Sequence, residues 1–430
     1  MSENENIDFH AWGVQQKILT TPHRVIGAFA GKRSGKTEVG AIRFIKGMEE
    51  KINYKENKID QFLGVIIAPT VDMLRRLSWK KFYAYAKPFL PNDYNKSNHE
   101  AQWHDGSLVY GLSADNPARI EGIKANIIWC DEVFQMSEQL FLECRARLSD
   151  SKGILLCTGS LGVQFINPKQ HWAYKYFKES QDDNTICFEW PTVDNPHFPR
   201  DELESLKRQL DPQTFRSMFE INWDTLPKNG VYLDFTDDSV IKTYDIKDEW
   251  PIYVSIDWGY AHDMAVCFFQ VDPLTQSVFL FDEIIQNRMT LEELAIKLKP
   301  RLESYYISDW CCDIAGNQER EQTGKSNVKW FKEKLGIHLK YKSDSIANGI
   351  SLVRSYIKNA SGQRRFYIAS SCKKSIDGMR QYRYPEKDGV IQNENPIKKD
   401  DDAVDCIRYF FINFMQQKTQ TAQTTQRGLR

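Results

Sequence analysis

Val25-Ile26-Gly27-Ala28-Phe29-Ala30-Gly31-Lys32-Arg33-Ser34-Gly35-Lys36-Thr37 decides how the rest of the chain is read. Its apolar first half has the pattern of a buried strand, and its second half that of a phosphate-binding loop opening a helix. Such a loop offers backbone N–H groups and a helix N-terminus to a polyphosphate, a lysine reaches the outer phosphates, and a hydroxyl holds Mg²⁺. Gly35, Lys36 and Thr37 supply these parts in turn, with Gly31, Lys32, Arg33 and Ser34 as the rest of an ATP-binding loop. The pattern G-x-x-x-x-G-K-[ST] puts its first glycine where this chain has Ala30, with Gly31 one place later. A chance glycine-rich turn is the competing reading.

A second strand favours the phosphate loop. Asn126-Ile127-Ile128-Trp129-Cys130 is apolar as a buried parallel strand should be, and it ends in Asp131-Glu132. In a Walker B element Asp131 would hold Mg²⁺ through water, and Glu132 would polarise the water that attacks the γ-phosphate. Alone, an acidic pair after a strand is more often a helix N-cap region. Upstream, Gln15 in the stretch Trp12 to Leu19 is placed to read adenine beneath an aromatic, against the competing reading of a solvated turn. Downstream, Gly153 to Cys157 reads as another apolar strand closed by Thr158-Gly159-Ser160, polar residues suited to sensing the γ-phosphate. Arg119, in Arg119-Ile120-Glu121-Gly122, leads toward the acidic strand.

At 430 residues the chain is long enough for two domains. Lys plus Arg total 57 against 58 Asp plus Glu, a formal charge of -1, so any nucleic-acid contact must come from local patches. One candidate patch is the basic set Arg75, Arg76, Lys80 and Lys81 after the strand Phe62 to Ala68, against the competing and, for any one of them, more frequent reading of a solvated charged face. The nine cysteines show neither CxxC pairs nor zinc spacing, which points to reduced thiols and no structural zinc. No apolar run has the length of a membrane span, and the N-terminus lacks a signal-peptide pattern, so neither a membrane nor a secretory route is expected.

Phe188 to Phe235 is proline-dense and changes pattern, marking a domain junction. Beyond it Ile252 to Ile256 reads as a strand ending in Asp257, and Ala265 to Val271 and Val278 to Phe281 continue it as an antiparallel meander. Trp310-Cys311-Cys312 carries Asp313 at its end, while Asp402 and Asp405 lie on one face of a C-terminal helix. Carboxylates gathered without a cationic partner repel one another and are normally held by divalent metal. Two Mg²⁺ or Mn²⁺ ions roughly 4 Å apart are the apparatus of in-line phosphodiester cleavage. Asp400 and Asp401 have N-cap character, and Asp401 competes with Asp402 as the additional ligand.

Taken in order, the phosphate loop, Ala68-Pro69-Thr70, Arg119 to Gly122, Ile127 to Glu132, Thr158 to Ser160, Asp194-Asn195-Pro196, Asp257 and Asp402 to Tyr409 resemble the large terminase subunit of tailed bacteriophages. The resemblance spans nearly the whole chain. It implies an α/β protein with an N-terminal P-loop ATPase domain of the ASCE type (1–185), a linker subdomain (186–240), a C-terminal ribonuclease H-like nuclease domain (241–415) and a disordered tail (416–430). It further implies a motor that translocates viral double-stranded DNA and an endonuclease that cuts the concatemer. Glu132, Lys36, Asp257, Asp313 and Asp405 would be catalytic, and Thr37, Asp131, Asp257, Asp313, Asp402 and Asp405 would hold metal. ATP, Mg²⁺ and, in the nuclease, Mg²⁺ or Mn²⁺ are the implied cofactors. The implied partners are viral DNA, a small terminase subunit, and a portal protein on which copies of the chain form a ring. The place of action would be the host cell cytoplasm rather than the mature virion. Lys32, Arg33 or, from a neighbouring subunit, Arg119 would supply the cation at the γ-phosphate. A helicase-like translocase that binds DNA without cutting it is the runner-up.

Overall fold

The computed structural model describes residues 9–52, 62–87, 99–102, 106–115, 120–162, 168–180, 182–223, 229–259, 262–317, 326–387, 390–391, 395–399 and 401–416. The chain divides into two compact units, Met1–Leu203 with Thr214–Leu226, and Glu204–Gln213 with Pro227–Arg430. The segment 186–240 is thus shared out between them.

In the N-terminal unit, α1 (Gly13–Thr20) leads to β1 (Val25–Ala30) and, past the loop, to α2 (Lys36–Ile52). After β2 (Leu63–Ala68) come α3 (Val71–Met73), a wide turn Leu74–Ser78 and α4 (Trp79–Ala86). The hairpin β3 (Glu100–Gln102) and β4 (Leu108–Ser113) precedes β5 (Ile127–Asp131), α5 (Glu138–Arg147) and β6 (Ile154–Gly159). Then follow α6 (Trp172–Tyr174), β7 (Thr185–Trp190), α7 (Arg200–Gln209), whose residues from Glu204 onward belong to the other unit, and α8 (Pro212–Phe219). The sheet order is β3-β4-β2-β5-β6-β1-β7, parallel except at the hairpin.

β6 therefore stands between the loop strand β1 and the acidic strand β5, as an ASCE-type ATPase requires. The central strands read as unbroken apolar runs because helices cover both faces. Phe29, Val65, Ile128 and Leu155 pack with Phe134, Phe141 and Phe177 on one face. Ile26, Ile66, Trp129 and Leu156 pack with Phe44 and Phe82 on the other. β7 corrects the reading of Phe188 to Phe235 as one connection: its last residues pair with β1 at the sheet edge. Its middle residues are only half-buried, so it shows no continuous apolar run.

The C-terminal unit holds β8 (Val240–Ile241), β9 (Ile252–Asp257), β10 (Asp263–Val271), β11 (Val278–Asn287) and α9 (Leu291–Ser304). It continues with β12 (Ile307–Cys312), α10 (Asn327–Leu335), β13 (Leu339–Lys340), α11 (Ile346–Ile357), β14 (Phe366–Ala369) and α12 (Lys373–Gln381). A short hairpin of β15 (Glu386–Lys387) and β16 (Val390–Ile391) precedes α13 (Asp402–Phe410), prolonged by the turn Phe411–Met415. The main sheet runs β13-β12-β9-β10-β11-β14-β8. β9, β10 and β11 form the expected antiparallel meander, and β12 lies parallel to β9 on its other side. The tail from 417 onward lies outside the described residues, as does Asp400.

α13 is fastened across β9 and β10. The Cys406 thiol donates to the Ser255 carbonyl at 3.0 Å, and Phe410 stacks on Phe269 with ring centroids 4.0 Å apart and planes 11° from parallel. Both rings are fully buried. Phe410→Ala is expected to lower the stability of this unit by about 3–5 kcal/mol, read as a shift of its transition in denaturant. A shift below about 1 kcal/mol would mean that α13 is not anchored through this ring.

Candidate functional site

The loop after β1 emerges at the C-terminal end of the parallel strands, where open α/β sheets hold ligands. α2 begins at Lys36, so the N–H groups of its first turn have no intrahelical acceptor. Left-handed backbone at Arg33 (φ 63°) and Gly35 (φ 78°) bends the loop into the concave form that backbone amides make around an anion. A Cβ at Gly35 would also stand 2.7 Å from Gln15 Nε2. Gln15 is buried and lies on the loop itself, donating from Nε2 to the Gly35 carbonyl at 3.4 Å. Thr37 is half-buried in the first turn of α2, and Lys32 and Arg33 are exposed on the loop. Arg119 lies outside the described residues.

Asp131 closes β5 with only 1% of its surface exposed. Thr158 Oγ1 donates to its Oδ1 at 2.7 Å and Ser78 Oγ to its Oδ2 at 2.7 Å, while Trp129 Nε1 donates to Thr158 Oγ1 at 2.8 Å. Burial, reinforced by the Glu132 charge, pushes the Asp131 carboxyl above its ordinary range, and Thr158, Lys36 and Ser78 pull it back. Glu132 adopts left-handed backbone (φ 57°, ψ 46°), which carries its carboxylate to the loop. Lys36 Nζ lies 3.0 Å from Glu132 Oε1, with the two side chains 9% and 18% exposed. Ser160 N–H donates to Glu132 Oε2 at 3.4 Å, and Ser160 Oγ donates to the Ala30 carbonyl at 2.6 Å. Gly159 sits where a Cβ would press on Phe134 at 2.9 Å.

The structure thus brings together Lys36, Asp131, Glu132, Thr158 and Ser160, residues that the sequence read separately. Ser78 was not among them; it lies 53 positions from Asp131, in the wide turn before α4, and no local pattern marks it. The basic face is partly neutralised: Arg75 and Arg76 both pair with Asp72, and Lys81 with Glu38 on α2, while Lys80 is exposed.

In the C-terminal unit, β9 and β12 run in parallel with Ile256 beside Cys312, so Asp257 and Asp313 leave adjacent strand ends. Asp401 takes the N-cap position of α13 without capping it through its side chain, and Asp402 and Asp405 lie in the first turn. Asp257 is pushed well above the usual carboxylate range by burial first, then by Asp405, Cys406, Asp313 and Asp402. Burial raises Asp313 as well, opposed by the N–H groups of Gly316, at 3.0 Å from Oδ1, and Ala315. Asp401 and Asp402 are raised mainly by burial.

One expectation needs correction. The acids do have a cationic partner, since Arg408 donates to Asp405 Oδ1 from Nη2 at 2.9 Å and Nε at 3.3 Å. Among the described residues no three His, Cys, Asp or Glu side chains already stand in metal-holding distance of one another, although Asp257 feels the charges of Asp405, Asp313 and Asp402. The physical reason is that mutually repelling carboxylates settle on local partners, Asp405 on Arg408 and Asp313 on the Gly316 N–H. The donor set still suits a hard divalent cation, which would offset the burial and the repulsion that together raise Asp257.

Two family models match the chain: "Terminase large subunit, T4likevirus-type, N-terminal" over residues 28–230, and "Terminase RNaseH-like domain" over residues 254–414. The PBSX phage terminase large subunit of Bacillus subtilis (strain 168) is 23% identical over 237 residues, 48% of this chain and 52% of that protein. The chain thus spans about half the length of this curated relative. The large terminase of a thermophilic bacteriophage superposes with a TM-score of 0.56 at 17% identity, covering 92% of this chain and 97% of that one. The same phage protein in complex with ADP gives 0.55 at 17% identity, over 94% and 99%. At such identity the likeness speaks for the fold alone.

Asp257 yields a prediction with a fixed sign. A carboxyl whose folded-state pKa is raised stabilises the fold below its unfolded pKa, and that contribution is lost as pH rises through the folded value. In chelator, the C-terminal unit should therefore lose stability from about pH 4 upward. Asp257→Asn should flatten that loss and melt above wild type at alkaline pH, with Mg²⁺ or Mn²⁺ narrowing the gap. Identical melting of the two proteins in chelator across that range would rule out the burial and repulsion assigned to the Asp257 carboxyl.

Proposed function

This chain belongs to the terminase large-subunit family, and on that premise we propose that it is the motor and nuclease of viral genome packaging. ATP hydrolysis in the N-terminal unit would drive double-stranded DNA into the procapsid, and the C-terminal unit would cut the concatemer. The observation that carries the motor reading is the Lys36–Glu132 contact at 3.0 Å, set beside Asp131 at the mouth of a phosphate loop.

Lys36, Thr37, Gly35 and the first-turn amides of α2 would take the phosphates, with Gln15 and Gly31 to Ser34 completing the nucleotide site. Asp131 and Thr37 would hold Mg²⁺, which neutralises phosphate charge when bound. The arriving polyphosphate competes with Glu132 for Lys36, so binding substrate also frees the carboxylate that orients the attacking water. Thr158, Gly159 and Ser160 tie that carboxylate and Asp131 back to the end of β1, which suits a sensor of the γ-phosphate. Lys32, Arg33 or a neighbour's Arg119 would meet the developing charge.

In the second unit Asp257, Asp313, Asp405 and either Asp402 or Asp401 would hold Mg²⁺ or Mn²⁺, whose chemistry is activation of water and stabilisation of the leaving oxygen. A small terminase subunit, a portal protein and a ring of several copies on that portal are the proposed partners, acting in the host cell cytoplasm and absent from the mature virion. Among the described residues no helix is long and apolar enough to cross a membrane. The Arg408 contact to Asp405 favours one alternative, a translocase whose second unit binds DNA without cutting it.

Phosphate release with and without DNA, beside Mn²⁺-dependent plasmid nicking, separates these readings. Lys36→Ala should abolish ATP hydrolysis and leave nicking largely intact, and Asp257→Asn should do the reverse. Glu132→Gln should bind ATP and hydrolyse it about 10²- to 10⁴-fold more slowly. Wild-type protein that hydrolyses ATP yet never nicks supercoiled plasmid would hand the lead to the translocase.

A further inference from the structure

The phosphate loop is gripped from outside by one segment whose role the proposed chemistry leaves open. Thr192 Oγ1 donates to the Lys32 carbonyl at 2.7 Å, Asn195 Nδ2 to the Arg33 carbonyl at 2.7 Å, and Trp190 Nε1 to the Ser34 carbonyl at 3.0 Å. The backbone adds to the grip: Gly31 N–H donates to the Trp190 carbonyl at 3.2 Å, and Lys32 N–H to the Met218 carbonyl, at the end of α8, at 2.7 Å. Successive loop carbonyls at 32, 33 and 34 thus each have a side-chain donor from residues 190–195.

Peptide planarity turns this into an effect on the nucleotide site. In a trans peptide the C=O of one residue points opposite to the N–H of the next. Holding the carbonyls of Lys32 and Ser34 outward therefore aims the amides of Arg33 and Gly35 inward, toward the concave side where an anion sits, while the Ser34 N–H donates to the Gly31 carbonyl at 3.3 Å and closes the turn. Arg33 needs such support because its left-handed backbone is unfavourable for a residue with a Cβ. The Asn195 amide cannot be turned over to spoil the contact, since its Oδ1 accepts from His197 N–H at 3.0 Å.

The grip also accounts for the displaced glycine. A Cβ at Gly31 would run into the Thr192 hydroxyl and the Phe219 carbonyl, so the glycine is needed where the segment and the end of α8 close on the loop. Ala30, one place earlier, remains in register beside Trp190 within β1.

We propose that Thr192 and Asn195, with Trp190, are positioning residues for the nucleotide: without touching it, they orient the loop amides and so set its affinity. This rests on the reading of the loop as an ATP site. Each lost hydrogen bond should weaken binding about five- to tenfold.

The test uses the full chain, a fluorescent ATP analogue for Kd, steady-state ATPase kinetics, and the melting temperature of nucleotide-free protein. Thr192→Val and Asn195→Ala should raise Kd and KM by about that factor while kcat stays within roughly twofold. Thr192→Ser, which keeps the hydroxyl, should bind like wild type. Unchanged Kd in folded Thr192→Val and Asn195→Ala overturns the proposal. So does a loss of affinity that Thr192→Ser shares, or one that appears only where the nucleotide-free protein also melts lower. Wild-type protein that binds the analogue no better than Lys36→Ala overturns instead the ATP reading on which the proposal stands.

Discussion

A carboxylate drawn out of water at the end of a central strand is the constraint on which both units depend. Asp131 at the end of β5 and Asp257 at the end of β9 are each desolvated by the sheet that presents them, and desolvation disfavours their charge. The N-terminal unit answers with donors: two hydroxyls, Thr158 and Ser78, and the nearby Lys36 ammonium. The C-terminal unit surrounds Asp257 with further acids, and the Arg408 guanidinium that meets them is spent on Asp405. The first arrangement is close to self-sufficient. The second is electrostatically unfinished in a way that a divalent cation would complete.

The same constraint explains what could be read from the sequence. Strands that carry such carboxylates lie in the middle of their sheets, and burial on both faces writes them as unbroken apolar runs: β1, β2, β5 and β6 were all visible for that reason. The antiparallel meander of β9, β10 and β11 was equally plain, and so was Asp257 at its first strand end. Elements at the margins were not. β7 is an edge strand with half-buried residues along its middle. α9 went unassigned although Thr290 and Glu293 form a capping box at its start, a local signal that would have found it.

Within the sites, residue types were legible and partnerships were not. Lys36, Asp131, Glu132 and Asp257 announce themselves by position after a strand, because backbone geometry alone decides where they point. Ser78 and Thr158 act on Asp131 across the sheet, and Arg408 reaches Asp405 by its side chain, so only folding reveals either role. The misplaced glycine is the instructive case. The sequence showed Ala30 and Gly31 as a departure from the loop pattern, but the cause lay in Thr192 and Phe219, more than a hundred residues away in order.

The Lys36–Glu132 contact bears on how the motor would be kept idle. Removing one member of a buried ion pair costs about 3–5 kcal/mol, most of it for the charge left alone. The two side chains are 9% and 18% exposed, enough to soften that penalty without removing it. Lys36 therefore does not leave Glu132 for water; it leaves for a group that carries at least as much negative charge, and a triphosphate does. Glu132 meanwhile keeps its left-handed backbone and the Ser160 N–H, so release from the lysine frees its Oε1 with little movement of the chain. On the proposed reading, the residue that would orient water is held by the residue that would bind phosphate. The pair that would assemble the site around a nucleotide would then also keep Glu132 from activating water before the nucleotide arrives.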